Sequence, residues 1–171
     1  YPNNFFILHK LMYNRYMLKN KILSFILFAL ITYSASVIGS IATIEFKEPW
    51  YSLLIKPSFN PPGWVFAPVW STLYLMMTIA IWSFWHNKNK DMNTVYIYFV
   101  HIIFNTTWSI TFFIFHKIVL ALAVLVFLIF LIIILMMRFR RVNMLSFYMM
   151  IPYLLWCCFA LILNFNLILL N

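Results

Sequence analysis

Charge is what this chain has least of. Of its 171 residues only 9% are charged, 65% are hydrophobic, and the mean hydropathy is +0.94. Water-soluble domains carry roughly 25% charged residues, so a soluble globule is excluded. The composition predicts an all-α integral membrane protein, a multi-pass bundle of about five spans at roughly 20 residues each. Acid is scarcer still: the three carboxylates, Glu45, Glu48 and Asp91, all fall in predicted loops. With none inside a span, neither an embedded-carboxylate proton relay nor a sheltered carboxylate pair for hydrolysis is available. Cysteine is limited to Cys157 and Cys158. Adjacent helical residues point about 100° apart, which disfavours a staple or a metal pair and leaves two small apolar packers. CxxCH, HExxH and P-loop patterns are missing, and no metal is expected. The net charge of +9 is assigned to Lys and Arg flanking membrane segments, so no nucleic-acid partner is expected.

Aromatic surface is in excess, with seven Trp, ten Tyr and nineteen Phe. It concentrates around the stretch from Trp50 to Trp85, where five of the seven prolines lie between Pro49 and Pro68. Proline fixes φ, lacks an N–H and biases its predecessor towards extended backbone. Pro57, Pro61 and Pro62 with Gly63 therefore predict a stiff loop bearing Trp50, Tyr51, Phe59, Trp64 and Lys56. Such a loop must lie outside the hydrocarbon or be buried in protein, and it reads as a lid or wall for a flat hydrophobic ligand. Helix is expected to resume by about Val65, with Pro68 in its first turn, where a missing N–H costs little.

Residues 1–21 read as a basic, aromatic leader and residues 22–171 as the membrane domain. Spans are predicted over Ile22–Thr43, Val65–Trp85, Thr94–Phe115, Ile118–Met137 and Met144–Leu169. The first resembles a signal peptide, with Ser34–Ala35–Ser36 as a weak cleavage site, but its apolar run continues and a retained span is expected. Ala35 and Gly39 form a small-xxx-small pair suited to close helix packing. The second span carries Trp70, Tyr74, Thr78 and Trp82 as one drifting stripe. The third places His101, Asn105, Trp108, Ser109, Phe112 and His116 on one face. A single polar residue there is interhelical glue, whereas six suggest a cavity wall, and both readings stay open. His101 is the one histidine deep enough to meet a haem iron, although a lone membrane histidine is more often a hydrogen-bonded packing residue. The fourth span has no polar side chain and is expected to be the most lipid-exposed helix or a spacer. In the fifth, Tyr153, Trp156, Ala160 and Asn164 share a face, and Pro152 predicts a kink. Nine Lys and Arg fall on the N-terminal side and three on the other. The positive-inside rule then places the N-terminus in the cytoplasm, in a bacterial-type cell membrane.

Trp70, Trp108 and Trp156 each lie on the polar stripe of a helix, a pattern suited to a large planar ring system. At these residues the chain resembles the TspO/MBR family (translocator proteins, tryptophan-rich sensory proteins, peripheral benzodiazepine receptors). The resemblance rests on Trp50, Tyr51, Leu54, Lys56, Pro57, Pro61 and Pro62, then Val69, Trp70, Leu73, Tyr74, Met77 and Ala80. Asn105, Trp108, Ser109, Phe112 and Phe113 continue it, as do Pro152, Tyr153, Leu154, Trp156, Phe159, Ala160, Leu163 and Asn164.

The resemblance implies five transmembrane helices, homodimers in membrane lipid, and a pocket beneath the first loop for porphyrins such as protoporphyrin IX or haem, held as ligand with no cofactor required. It implies a wall including Trp50, Tyr51, Phe66, Ala67, Asn105, Trp108, Thr111, Phe147 and Met150, joined by Trp70, Tyr153 and Trp156. A membrane receptor or sensor for tetrapyrroles, acting in porphyrin handling, transport or stress regulation, is the leading expectation. The alternative is an enzyme degrading porphyrin with light and oxygen through Trp70 and Trp156, and a bundle whose aromatics merely pack is the third reading. Thr78 stands where the family usually has Gly and is expected to loosen a helix contact. Phe147 is taken to replace a small Ala at the ligand site. The tail LILNFNLILLN lacks the basic residue of a sterol-recognition pattern.

Overall fold

A computed structural model describes residues 20–171, so the leader expected over residues 1–21 lies almost wholly outside the described residues. The described chain is helical, and five helices are long and apolar enough to cross a membrane. We number them α1 (Lys21–Phe46), α3 (Gly63–Trp85), α4 (Met92–Ser109), α5 (Ile118–Val142) and α6 (Met144–Leu170), with α2 (Trp50–Leu53) a single turn inside the proline loop. The stretch read as a possible cleavable signal is thus the first half of a 26-residue helix packed in the bundle. α4 ends in a π-helical turn, Ile110–Ile114, that the sequence did not announce.

Helix starts follow local chemistry. Asn20 caps α1 by accepting from the N–H groups of Ile22 and Leu23, Asp91 caps α4 at Thr94, and Asn143 caps α6 at Leu145 and Ser146. Pro68 sits in the second turn of α3 rather than its first, because helix begins at Gly63. The N–H it lacks would have met the carbonyl of Trp64, an exposed residue, so water or headgroups can take that carbonyl instead. Pro152 likewise lies inside α6.

The small residues of α1 pack as expected, with Ala35, Gly39 and Ala42 buried. A Cβ on Gly39 would come within 3.1 Å of the Ser109 Oγ, so α1 and α4 pack tightly there. Thr78 is fully buried, and its hydroxyl donates to the Tyr74 carbonyl of its own helix at 2.8 Å. α5 corrects the sequence reading. Ala121, Leu125, Leu128, Ile132, Leu135 and Phe139 are buried between α4 and α6, and their alternating four- and three-residue spacing is a coiled-coil seam. The seam is invisible in the sequence because lipid-facing and protein-facing positions are equally apolar. Cys157 is buried, Cys158 half-buried, and both are free thiols.

The end bearing the arginines is tied by polar contacts. The Trp82 indole N–H donates to the Lys21 carbonyl at 2.9 Å, Asn87 Nδ2 to the Val142 carbonyl at 2.9 Å, and Ser146 Oγ to the Ala80 carbonyl at 2.7 Å. His86 Nε2 and Ser24 Oγ lie 2.8 Å apart.

Gly39→Leu is expected to cost about 1–3 kcal/mol by overpacking against Ser109, measured as a fall in the melting temperature of the detergent-solubilised protein. Burial, helped by the charges of Lys21 and Lys90, holds the His86 imidazole below its usual 6.5. The unfolded ring therefore takes up its proton at higher pH than the folded one. Its contribution is fully present above about 6.5 and is lost progressively as pH falls from there through the lower value of the folded ring. A melting series from about pH 8 to about pH 5 should show this decline, and His86→Gln should flatten it.

Candidate functional site

Two groups of side chains occupy the half of the bundle nearer the proline loop. The first closes that end. Trp50 stacks on His116 at 4.3 Å between ring centroids and meets Phe112 edge-on at 5.3 Å. Tyr51 leans on Phe112 and Phe113, and Trp108 stacks on Phe112 at 5.4 Å. Lys56 reaches back over the Tyr51 ring at 4.8 Å, while the Tyr51 hydroxyl donates to Asn60 Oδ1 at 3.3 Å. Burial pushes the Tyr51 phenol up, with the Asn60 bond opposing it. His116 adopts a left-handed φ of 53° at the end of the π-helical turn and bonds the Phe46 carbonyl at 3.2 Å. At the far end of the chain, Asn171 accepts from the Ile55 N–H at 2.9 Å and donates to its carbonyl at 3.1 Å. The stiff aromatic loop is thus pinned from three sides.

The second group lies deeper. Tyr74 donates to Asn105 Oδ1 at 2.7 Å, and Asn105 Nδ2 donates to the Tyr153 hydroxyl at 2.9 Å. The His101 Nδ1 faces the Tyr98 carbonyl at 3.2 Å and so carries its proton there. Its Nε2, 3.1 Å from the Tyr153 oxygen, then accepts the Tyr153 proton. With a neutral imidazole each side-chain polar atom in this set has a partner, and α3, α4 and α6 are joined. Tyr98 carries the link to Thr32 on α1 at 2.7 Å. Of the two readings of the polar face on α4, interhelical bonding accounts for His101 and Asn105, and His101 is not placed as an open ligand to iron.

Open space lies beside this network. A groove of about 750 Å³ runs between α3 and α6, with Pro61, Pro68, Thr72 and Met76 on one wall and Pro152, Leu155, Trp156 and Phe159 on the other. Phe59 of the loop reaches Phe159 at its edge, and Phe66 meets Trp156 at 5.9 Å. Of the expected wall residues only Trp156 lines this groove. Trp70 stacks on Tyr74 at 5.4 Å and touches Tyr153 edge-on at 6.2 Å. Trp50, Tyr51, Trp108 and the buried Thr111 belong to the closed end. Met150 is fully buried, and Ala67 is exposed, away from the interior.

Phe147 requires correction. It sits in the first turn of α6 under the guanidinium of Arg140, 5.9 Å away. That is nine residues before Trp156, about 14 Å along the axis, near the arginine end and not beneath the loop. A small Ala among the residues that carry the resemblance, Ala160, lies one turn beyond Trp156. The groove itself was missed, although Pro68, Thr72 and Met76 at helical spacing opposite Pro152, Trp156 and Phe159 were its signal. Asn164, placed by the sequence on the same face as Tyr153 and Trp156, was not among the expected wall residues. Among the described residues, the buried side-chain nitrogen and oxygen atoms without a hydrogen-bond partner are Trp108 Nε1 and both ends of the Asn164 amide.

Fold and site together define a five-span helical membrane protein, closed at one end by a proline-stiffened aromatic loop and carrying tryptophans on facing spans. The TspO/MBR family profile matches residues 25–170, and the chain belongs to that family. It is 33% identical over 140 residues to the tryptophan-rich protein TspO of Chlorobaculum tepidum, covering 78% of this chain and 86% of that protein. Against the protein CrtK of Rhodobacter capsulatus it is 32% identical over 147 residues, covering 84% and 92%. The translocator protein of Sus scrofa is 30% identical over 120 residues, covering 68% and 71%.

Tyr153→Phe should strand the His101 Nε2 and remove an acceptor from Asn105. The expected loss is about 1–3 kcal/mol, read as a lower melting temperature, with Asn105→Leu in the same background adding less than it does alone.

Proposed function

We propose that this protein is a membrane receptor or sensor for a planar tetrapyrrole of the protoporphyrin IX kind, serving porphyrin handling or transport, and working as a homodimer. The observation that carries the reading is the set of unpartnered polar atoms on Trp108 and Asn164. An unpaired buried polar group costs about 1–3 kcal/mol, and a bundle that pairs Tyr74, Asn105, Tyr153 and His101 so fully has no packing reason to tolerate three such atoms. The Trp108 indole N–H and the Asn164 amide are each of a kind that binds a carboxyl group on the rim of a macrocycle, although neither residue lines the groove at Trp156. The aromatic and proline walls of the groove at Trp156 suit its face. Family membership, and relatives named as tryptophan-rich sensory and translocator proteins, support a membrane sensor or receptor.

The test is titration of the detergent-solubilised protein with protoporphyrin IX, followed by tryptophan quenching. Saturable quenching is expected. Asn164→Leu should weaken binding by about 5- to 100-fold while leaving the melting temperature unchanged or higher, because it removes orphan polar atoms. Quenching that never saturates, or an affinity indifferent to Asn164→Leu and Trp156→Phe, overturns the proposal.

A further inference from the structure

A second concavity lies at the opposite end of the molecule, unconnected with the tryptophans. It is a groove of about 350 Å³ lined by Asp91, Ile134, Met137, Arg138, Arg141 and Val142. Ile134, Met137, Arg138 and Arg141 follow one face of α5 at spacings of three, one and three. Along that face the wall changes from apolar to cationic within two turns, and Met137 is 53% exposed.

The charges are not balanced within the protein. Asp91 is the one acid present, and both its oxygens already accept from Thr94, at 2.8 Å from the backbone and 2.7 Å from the hydroxyl. Arg138 approaches it through a single contact of 3.5 Å. Arg141 forms no ion pair among the described residues. Arg140 lies outside the groove over Phe147, and Lys90 is drawn over Trp85 at 4.8 Å.

The geometry points to a binding site for an anionic phospholipid, with an acyl chain along Ile134 and Met137 and the headgroup phosphate between Arg138 and Arg141. A guanidinium offers a planar fork of donors matched to phosphate oxygens. An apolar wall running from bilayer depth up to two such groups complements a lipid more closely than it does a free ion. A zwitterionic headgroup carries its own ammonium beside the phosphate and would meet the same arginines with no net attraction. An excess of positive charge that only sets orientation needs a number of cations and no particular pair above a groove, and this difference makes the assignment testable.

The experiment is native mass spectrometry of the full chain released from mixed phosphatidylglycerol and phosphatidylcholine of identical acyl chains. Retention of phosphatidylglycerol should exceed that of phosphatidylcholine, and Arg138→Gln/Arg141→Gln should reduce the preference by about 25-fold, a factor of about five per cation. The charge-matched control Lys88→Gln/Arg140→Gln should leave it within about twofold. Met137→Trp fills the groove while keeping both arginines and should also release the lipid, so the proposal survives any folding defect of the arginine variant. Equal loss in the control pair would reduce the effect to diffuse charge and overturn the site. Equal retention of both lipids would overturn it too, as would competition by inorganic phosphate or glycerol phosphate at the concentration of the lipid, which would mean an adventitious ion only.

Discussion

The phenol oxygen of Tyr153 is the point on which the bundle turns. In hydrocarbon no water stands ready to satisfy a stray donor, so any polar side chain placed inside must find its partner on another helix. Tyr153 accepts from Asn105 and donates to His101, and Asn105 in turn takes the proton of Tyr74. The direction of each bond is fixed by its neighbour, because a carbonyl can only accept and the His101 Nδ1 must therefore donate. Three spans are held in one register by four side chains. Apolar contacts alone would not do this, since lipid tails are as good a neighbour as leucine and packing between spans gains little from the hydrophobic effect.

The two ends of the bundle are built on different chemistry. The arginine end is stitched by short bonds from Trp82, Asn87, Asn143 and Ser146 to backbone or hydroxyl partners, which brings helix termini together without long loops. The loop end relies on rings. Trp50, Tyr51, Trp108 and Phe112 interlock, and His116 turns into the left-handed region so that its ring can stack on Trp50. Proline removes donors throughout this loop, so side-chain contacts and the Asn171 clasp take over the work that backbone bonding would do elsewhere. Rigidity at one end and an open flank between α3 and α6 put Trp156 where a ligand can reach it from the side.

Polar pairing stops at two places among the described residues. Along the axis from His101 to Asn105 polar atoms are matched, and the mismatch appears higher, at Trp108 and Asn164. At the other end it appears as guanidinium groups that exceed the acid available to them. Both are places where the protein presents chemistry that its own side chains do not complete.

Much of this was legible in the chain itself. A low charge content and long apolar runs compel membrane spans whatever their arrangement. The proline cluster compels a loop, and ordered motifs such as Pro152, Tyr153, Leu154 and Trp156 carry the family. Small residues at Ala35 and Gly39 predicted close packing because a missing side chain is itself a signal. The seam on α5 was not legible, since Leu125 facing protein and Phe127 facing lipid look alike when both surroundings are apolar. Nor could motif spacing place Phe147, whose depth depends on where α6 begins. Composition and periodicity thus determined that five of the described helices can cross a membrane and which residue types they carry. Which hydroxyl meets which amide, and which amide meets nothing, was decided only when the helices packed, because hydrogen-bond partners on separate spans are fixed by a distance of a few ångströms that no sequence separation encodes.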